Sequence, residues 1–153
     1  SMAIIEWLEE MQPKPPLLPK DPALRAQTRA FAYGVAMDIH PIINLRVQKY
    51  VAERLKQGDE GKTAWYRHWV GQGFAALETM LIQRKHQTPF CFGNEPNLAD
   101  VCLVPQVFGA ERFGCDMMPY PILMEIVENC RRHPAFIAAA PQNQPDCLPE
   151  LQK

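Results

Sequence analysis

The chain has 153 residues, 47% of them hydrophobic, and a formal net charge of −1, enough apolar material for one substantial core in a single domain. With a pI near 6.4 it lacks the positive excess that draws proteins to nucleic acid or an anionic bilayer. No window reaches the roughly 18 apolar residues of a membrane-spanning helix.

The first residues carry Glu6, Glu9 and Glu10 and no basic run, which argues against a secretory leader; the cytoplasmic expectation comes from the cysteines, which read as reduced thiols. Met2 to Glu10 reads as a short amphipathic helix, with Ile4, Ile5 and Leu8 on a face that something must cover. Residues 12–22 hold five of the fifteen prolines. Proline fixes φ and removes a backbone donor, so this stretch is an extended linker. Asp21 and Pro22 then start a long helix through Ile39, which Pro41 should kink by removing a hydrogen bond. Its stripe continues over Ile42, Leu45, Val47 and Tyr50 to a polar stop at 57–61. A second long helix is expected from Lys62 to Arg84, with Trp65, Trp69, Phe74, Leu77 and Leu81 in the core. Gly71 and Gly73 inside it cost about 1 kcal/mol each relative to alanine, which points to close helix packing.

After an irregular loop from His86 to Gly93, Asn97 and Asp100 stand at capping-box spacing and specify the start of the next helix. Further helices are expected over Ile122 to Arg132 and from Pro134. The polar, proline-rich tail 141–149 either lies against the bundle or frays. No segment alternates with period two, so the fold class is an all-α helix bundle. The five cysteines, Cys91, Cys102, Cys115, Cys130 and Cys147, form no C-x-x-C pair and read as reduced thiols, with Cys102 and Cys130 in the core. His40, His68, His86 and His133 show no grouping for a metal, and none is expected.

Five collinear segments carry a family resemblance: Ser1-x-Ala-Ile-Ile-Glu-x-Leu-Glu, Leu17-Leu18-Pro19-x-Asp21-Pro22, His40-Pro41-x-x-Asn44-Leu45-Arg46-Val47, Ala99-Asp100-x-Cys102-Leu103-Val104-Pro105-Gln106 and Ala110-Glu111-Arg112-Phe113. Across its whole length the chain resembles the helical half of a zeta-class glutathione transferase, the maleylacetoacetate (maleylpyruvate) isomerases. The resemblance implies that residues 1–11 are the last helix of an otherwise absent thioredoxin-like domain, 12–20 the linker and 21–153 the C-terminal helical domain. It also implies glutathione as cofactor, a small dicarboxylate as substrate and a homodimer, with no nucleic acid or membrane partner.

In that family glutathione thiolate adds to a cis double bond, rotation follows, and the thiolate leaves. A thiol with pKa near 8.5 is only a few per cent ionised at pH 7, so thiolate formation must be assisted. That task belongs to the absent domain, and no catalytic residue is expected in this chain. Arginine suits the second task, holding a dicarboxylate, because its planar guanidinium donates two parallel hydrogen bonds. Arg112 matches the family's substrate-carboxylate arginine; composition alone would read it as a surface arginine paired with Glu111 or Asp116. Arg46 and His40 are further substrate-binding candidates. Ser1, His40 and Asn44 are the glutathione-binding candidates, although Ser1 equally fits an extraneous terminal residue and Asn44 a backbone cap at the kink. Asn97 and Asp100 are assigned to helix capping. Two other functions fit the sequence less well: a stand-alone helical interaction module using the Ile4/Ile5/Leu8 face, and a glutathione-conjugating transferase.

Overall fold

The computed structural model describes residues 1–147; the expectations for the last six residues, including Leu148 and Pro149 of the tail and the end of the 21–153 domain, lie outside them. Among the described residues the regular elements are helical, apart from an isolated bridge between Phe90 and Gly93. None of these helices is long and apolar enough to cross a membrane.

Helix α1 (Met2–Met11) is followed by a linker that is docked rather than free. The Glu9 carboxylate accepts the N–H groups of Leu17 and Leu18 at 2.8 and 3.1 Å, and the Leu17 carbonyl accepts from Leu98 N at 2.9 Å. Helix α2 (Pro22–Tyr33) starts as expected, with Asp21 accepting from Leu24 N at 2.8 Å and Pro22 in the first turn.

The expected kink at Pro41 is displaced. The chain continues from Tyr33 through a π-helical stretch, Gly34–Ile39, into α3 (His40–Ile43), and breaks at Asn44, whose backbone is extended (φ −60°, ψ 151°). A proline ring inside an α-helix meets the carbonyl four residues back; the wider π turn relieves that crowding before Pro41. After the break come α4 (Leu45–Lys49) and a second π-helical stretch, Tyr50–Arg54. The chain reverses where Lys56 and Gly58 take φ values of 56° and 63°.

Helix α5 (Gly58–Ile82) begins before the expected Lys62 and ends before Arg84. The polar stop is shorter than its composition suggests because Asp59 and Glu60 suit the positive end of the helix dipole. Its inward stripe is Tyr66, Val70, Phe74, Leu77 and Leu81, all buried. Trp65 and Trp69 are half-buried, packed edge to face with ring centres 5.7 Å apart; Trp69 packs against the core as expected, whereas Trp65 stays off it. A β-carbon on Gly73 would overlap the Ile39 side chain, so close packing explains that glycine. It does not explain Gly71, whose carbonyl accepts the Tyr120 hydroxyl at 3.1 Å.

Helix α6 (Leu98–Arg112) packs against α2, the first π-helical stretch and α7 (Pro121–Arg132). Helix α8 (Pro134–Ala139) follows, and the described part of the tail lies against it: Asn143 and Gln144 side-chain amides donate to Ile137 O and Ala138 O at 2.6 and 2.8 Å.

Candidate functional site

Two arms of the chain carry the candidate residues, and each is shaped by a local backbone requirement. The first is α6. The Asn97 side chain accepts from Ala99 N at 3.0 Å and Asp100 accepts from Asn97 N at 2.9 Å, completing the capping box. Asp100 also accepts Cys91 N at 2.8 Å, which fastens the preceding loop to the helix start. Burial raises the Asp100 carboxyl above its usual range, opposed by the N–H donors from Cys91 and Asn97.

At the other end of α6, Gly114 (φ 63°) and Cys115 close the helix, with Gly114 N on Glu111 O at 2.9 Å and Cys115 N on Ala110 O at 3.0 Å. This left-handed closure satisfies carbonyls that the helix leaves without partners. Arg112 sits on that last turn, exposed, with its guanidinium carbon 5.9 Å from the centre of the Phe108 ring. Neither surface pairing open from composition occurs. Glu111 pairs with Arg131 at 2.5 Å and Asp116 accepts Met118 N at 3.0 Å, so Arg112 holds no carboxylate among the described residues.

The second arm is the segment around the Asn44 break. His40 and Arg46 are exposed, and the Asn44 side-chain oxygen accepts Arg46 N at 3.1 Å, the capping role weighed from sequence. Ser1 is exposed, and its carbonyl accepts Ile4 N and Ile5 N, both at 3.0 Å. It lies at the start of α1, away in the chain from either arm. No hydrogen bond joins His40, Arg46 and Arg112 to one another.

Helix α5 touches both arms at side chains two residues apart. Trp65 Nε1 donates to Ile42 O at 2.8 Å, beside the break, while Arg67 Nε donates to Phe113 O at 2.7 Å, next to Arg112. Between them the Tyr66 ring stacks on Phe113 at 3.8 Å and 9°. Burial pushes the Tyr66 phenol up to about 12, so it stays neutral.

Among the described residues no His, Cys, Asp and Glu cluster could hold a metal. Four thiols are unsuited to nucleophilic work: burial raises Cys91, Cys115 and Cys130, and pushes Cys102 to about 11. Cys130 is fully buried as expected, whereas Cys102 is half-buried, 3.8 Å from Met2 sulfur.

Sequence reasoning missed two structural charges. Buried Glu78 accepts Ile122 N and Leu123 N, both at 2.9 Å, capping α7 from another helix. Arg84 gathers Leu81, Phe90 and Cys91 carbonyls at 2.9 to 3.0 Å. The Glu78 partners are remote in sequence, and only a polar residue within an apolar helical run could have marked it; the Arg84 partners lie within seven residues, but their convergence depends on how the loop folds back.

A groove of about 910 Å³ runs between the linker, α6 and α8, with Leu17, Val101, Val104, Pro105, Phe108 and Phe136 among its walls. It borders α1, since Glu9 holds Leu17 and Met2 touches Cys102. On α1, Ile4, Trp7, Leu8 and Met11 are 63, 57, 45 and 61% exposed, an apolar face that none of the described residues covers.

No family model matches the sequence. The chain is 51% identical over 146 residues to a probable maleylacetoacetate isomerase of Vibrio cholerae, a match covering 95% of this chain and 67% of that protein. It is similar to the holo structure of a maleylpyruvate isomerase described as a bacterial zeta-class glutathione S-transferase (TM-score 0.93, 42% identity, 95% of this chain and 69% of that one). It is also similar to a maleylacetoacetate isomerase of Anaeromyxobacter dehalogenans with bound dicarboxyethyl glutathione and citrate (TM-score 0.91, 41% identity, 99% and 67%). The chain spans about two thirds of the length of the curated relatives it matches.

Proposed function

This chain belongs to the maleylacetoacetate isomerase family of zeta-class glutathione transferases, and from that membership we propose that it is the electrophile-binding helical part of a glutathione-dependent cis–trans isomerase. Its substrate is maleylacetoacetate or maleylpyruvate, in the cytoplasm, and the working form is a homodimer. The observation that carries this reading is Arg112, an exposed guanidinium committed to no carboxylate among the described residues, on an arm that α5 joins to the arm of His40 and Arg46. A dicarboxylate needs such cations, and charge-assisted hydrogen bonds to them contribute roughly 1.5–3 kcal/mol each.

Glutathione is the cofactor of this family. When bound it supplies the thiolate that adds reversibly to the double bond. The residues here fit a holding role: Ser1, His40 and Asn44 offer polar side chains for its ends, and Arg112, Arg46 and His40 bind and orient the substrate carboxylates. Thiol activation needs a further donor or positive charge beside the glutathione sulfur, and the cations here are taken up by the substrate carboxylates. Activation therefore belongs to a thioredoxin-like domain of which α1 is the last helix, covering the Ile4, Trp7, Leu8 and Met11 face. The linker and the helical domain follow from residues 12 and 21.

An antibody against this chain, applied to extracts of the source cells, tests the reading. A product larger by one thioredoxin-like domain is expected; a product of 17.5 kDa would favour an interaction module built on the open α1 face. The isolated chain should not isomerise maleylacetone with glutathione, and activity there would place thiol activation in this chain. In the complete enzyme Arg112→Ala should slow isomerisation more than about tenfold. A conjugating transferase would barely change.

A further inference from the structure

The carbonyl of Ile42 has no helical partner. The N–H four residues on, that of Arg46, goes instead to the Asn44 side chain, and the indole N–H of Trp65 takes its place at 2.8 Å. The carbonyl of Phe113 lies just past the end of α6 and is taken by Arg67 Nε at 2.7 Å. These two donors lie two residues apart on the regular helix α5. Tyr66, between them, stacks on Phe113. A β-carbon on Gly114 would come within 2.8 Å of Arg67 Nη2, so the guanidinium lies directly on the turn that closes α6.

We propose that Trp65 and Arg67 are positioning residues that set the separation of the two arms, so that Arg112 grips a small dicarboxylate from one side and the His40–Arg46 segment meets it from the other. The inference rests on the reading of Arg112 as a carboxylate-binding group. Each clamp fixes backbone close to a candidate side chain: Phe113 is next to Arg112, and Ile42 lies two residues after His40 and four before Arg46. Helix α5 is a rigid spacer between them. Misplacing a binding group weakens binding without removing any group that touches the ligand. Arg67 has no ion-pair partner among the described residues, so its loss leaves no carboxylate unpaired.

The test is titration of the isotope-labelled chain with malonate, read at the backbone N–H groups of Phe113, Gly114 and Arg46, which every variant keeps. Arg67→Ala should raise the dissociation constant about three- to tenfold, the range of one lost hydrogen bond, and Arg67→Lys should recover most of that loss. Trp65→Phe keeps the aromatic packing, removes the N–H, and should weaken malonate in the same direction. A merely structural role would lower the melting temperature and leave affinity unchanged well below it. If Arg112→Ala removes binding while Arg67→Ala and Trp65→Phe bind as the parent does, positioning is overturned and the Arg112 reading stands. If Arg112→Ala changes nothing, or the parent chain shows no response to malonate, the carboxylate reading fails and this inference with it.

Discussion

Asp100 is fully buried and still accepts two backbone hydrogen bonds, from Cys91 and Asn97. Asparagine at this position offers one oxygen, so one buried N–H would face an NH₂ group, at a cost of about 1–3 kcal/mol. Burial raises the folded carboxyl above its ordinary 3.8, so in the window above that value the folded state holds a proton that the unfolded chain has released. Stability from this group is therefore greatest at low pH and falls as pH rises through the window. Denaturant melts of the parent and Asp100→Asn should show their widest gap near pH 4 and a narrowing gap toward neutrality; a constant gap would count against the raised value. The capping half of this role was legible, because Asn97 and Asp100 sit three positions apart and capping is local. The bond to Cys91 depends on how the loop folds back, and no sequence spacing encodes it. Glu78 is the stronger instance, since its partners at Ile122 and Leu123 are 44 and 45 residues away. Glu78→Gln keeps one acceptor and replaces the other with a donor, and should cost about 1–3 kcal/mol by chemical denaturation.

At the scale of elements, the sequence placed helices well wherever a terminus carries its own signal: Asp21 with Pro22, Asn97 with Asp100, and Pro121 and Pro134 in their first turns. It misplaced the kink. Proline states where a hydrogen bond is lost, but the strain is distributed by the neighbours, here into a π-helical stretch before it and a break at Asn44 after it. It also misassigned Trp65, which stays off the core that Trp69 packs against, because a spacing of four residues marks a shared face without saying how far inward each residue reaches. The two arms were legible as motifs; their meeting on Trp65 and Arg67 was not, because that contact is tertiary. The glycine contact between α5 and the π-helical stretch is testable. Gly73→Ala gains helix propensity of about 1 kcal/mol, yet its methyl would overlap Ile39, and overpacking typically costs about 1–3 kcal/mol. We expect net destabilisation, and recovery in part when Ile39→Val is added. Additive effects in that double-mutant cycle would mean that the two residues do not share the strain.

For the whole molecule, the question is what lies over α1. Its inner side is well fixed: Glu6 accepts from Arg29 and Tyr33 at 3.2 and 3.0 Å, and Glu9 holds the linker. Its outer side presents Ile4, Trp7, Leu8 and Met11 beside an apolar groove. A fully buried leucine or isoleucine contributes about 1.5–3 kcal/mol relative to an exposed one, so this face gains stability only when something covers it. Replacing Ile4 and Leu8 together by glutamate separates the possibilities. In the 153-residue chain both positions face solvent, and the melting midpoint should change by no more than the roughly 0.5 kcal/mol typical of a surface substitution at each site. In a polypeptide that also carries a thioredoxin-like domain, the same pair would bury two charges and should cost several kcal/mol, with earlier loss of glutathione binding on heating. Equal, small effects in both would mean that the domain does not sit on α1. A large effect in the short chain alone would mean that copies of this chain cover the face themselves, which sedimentation at two concentrations would detect.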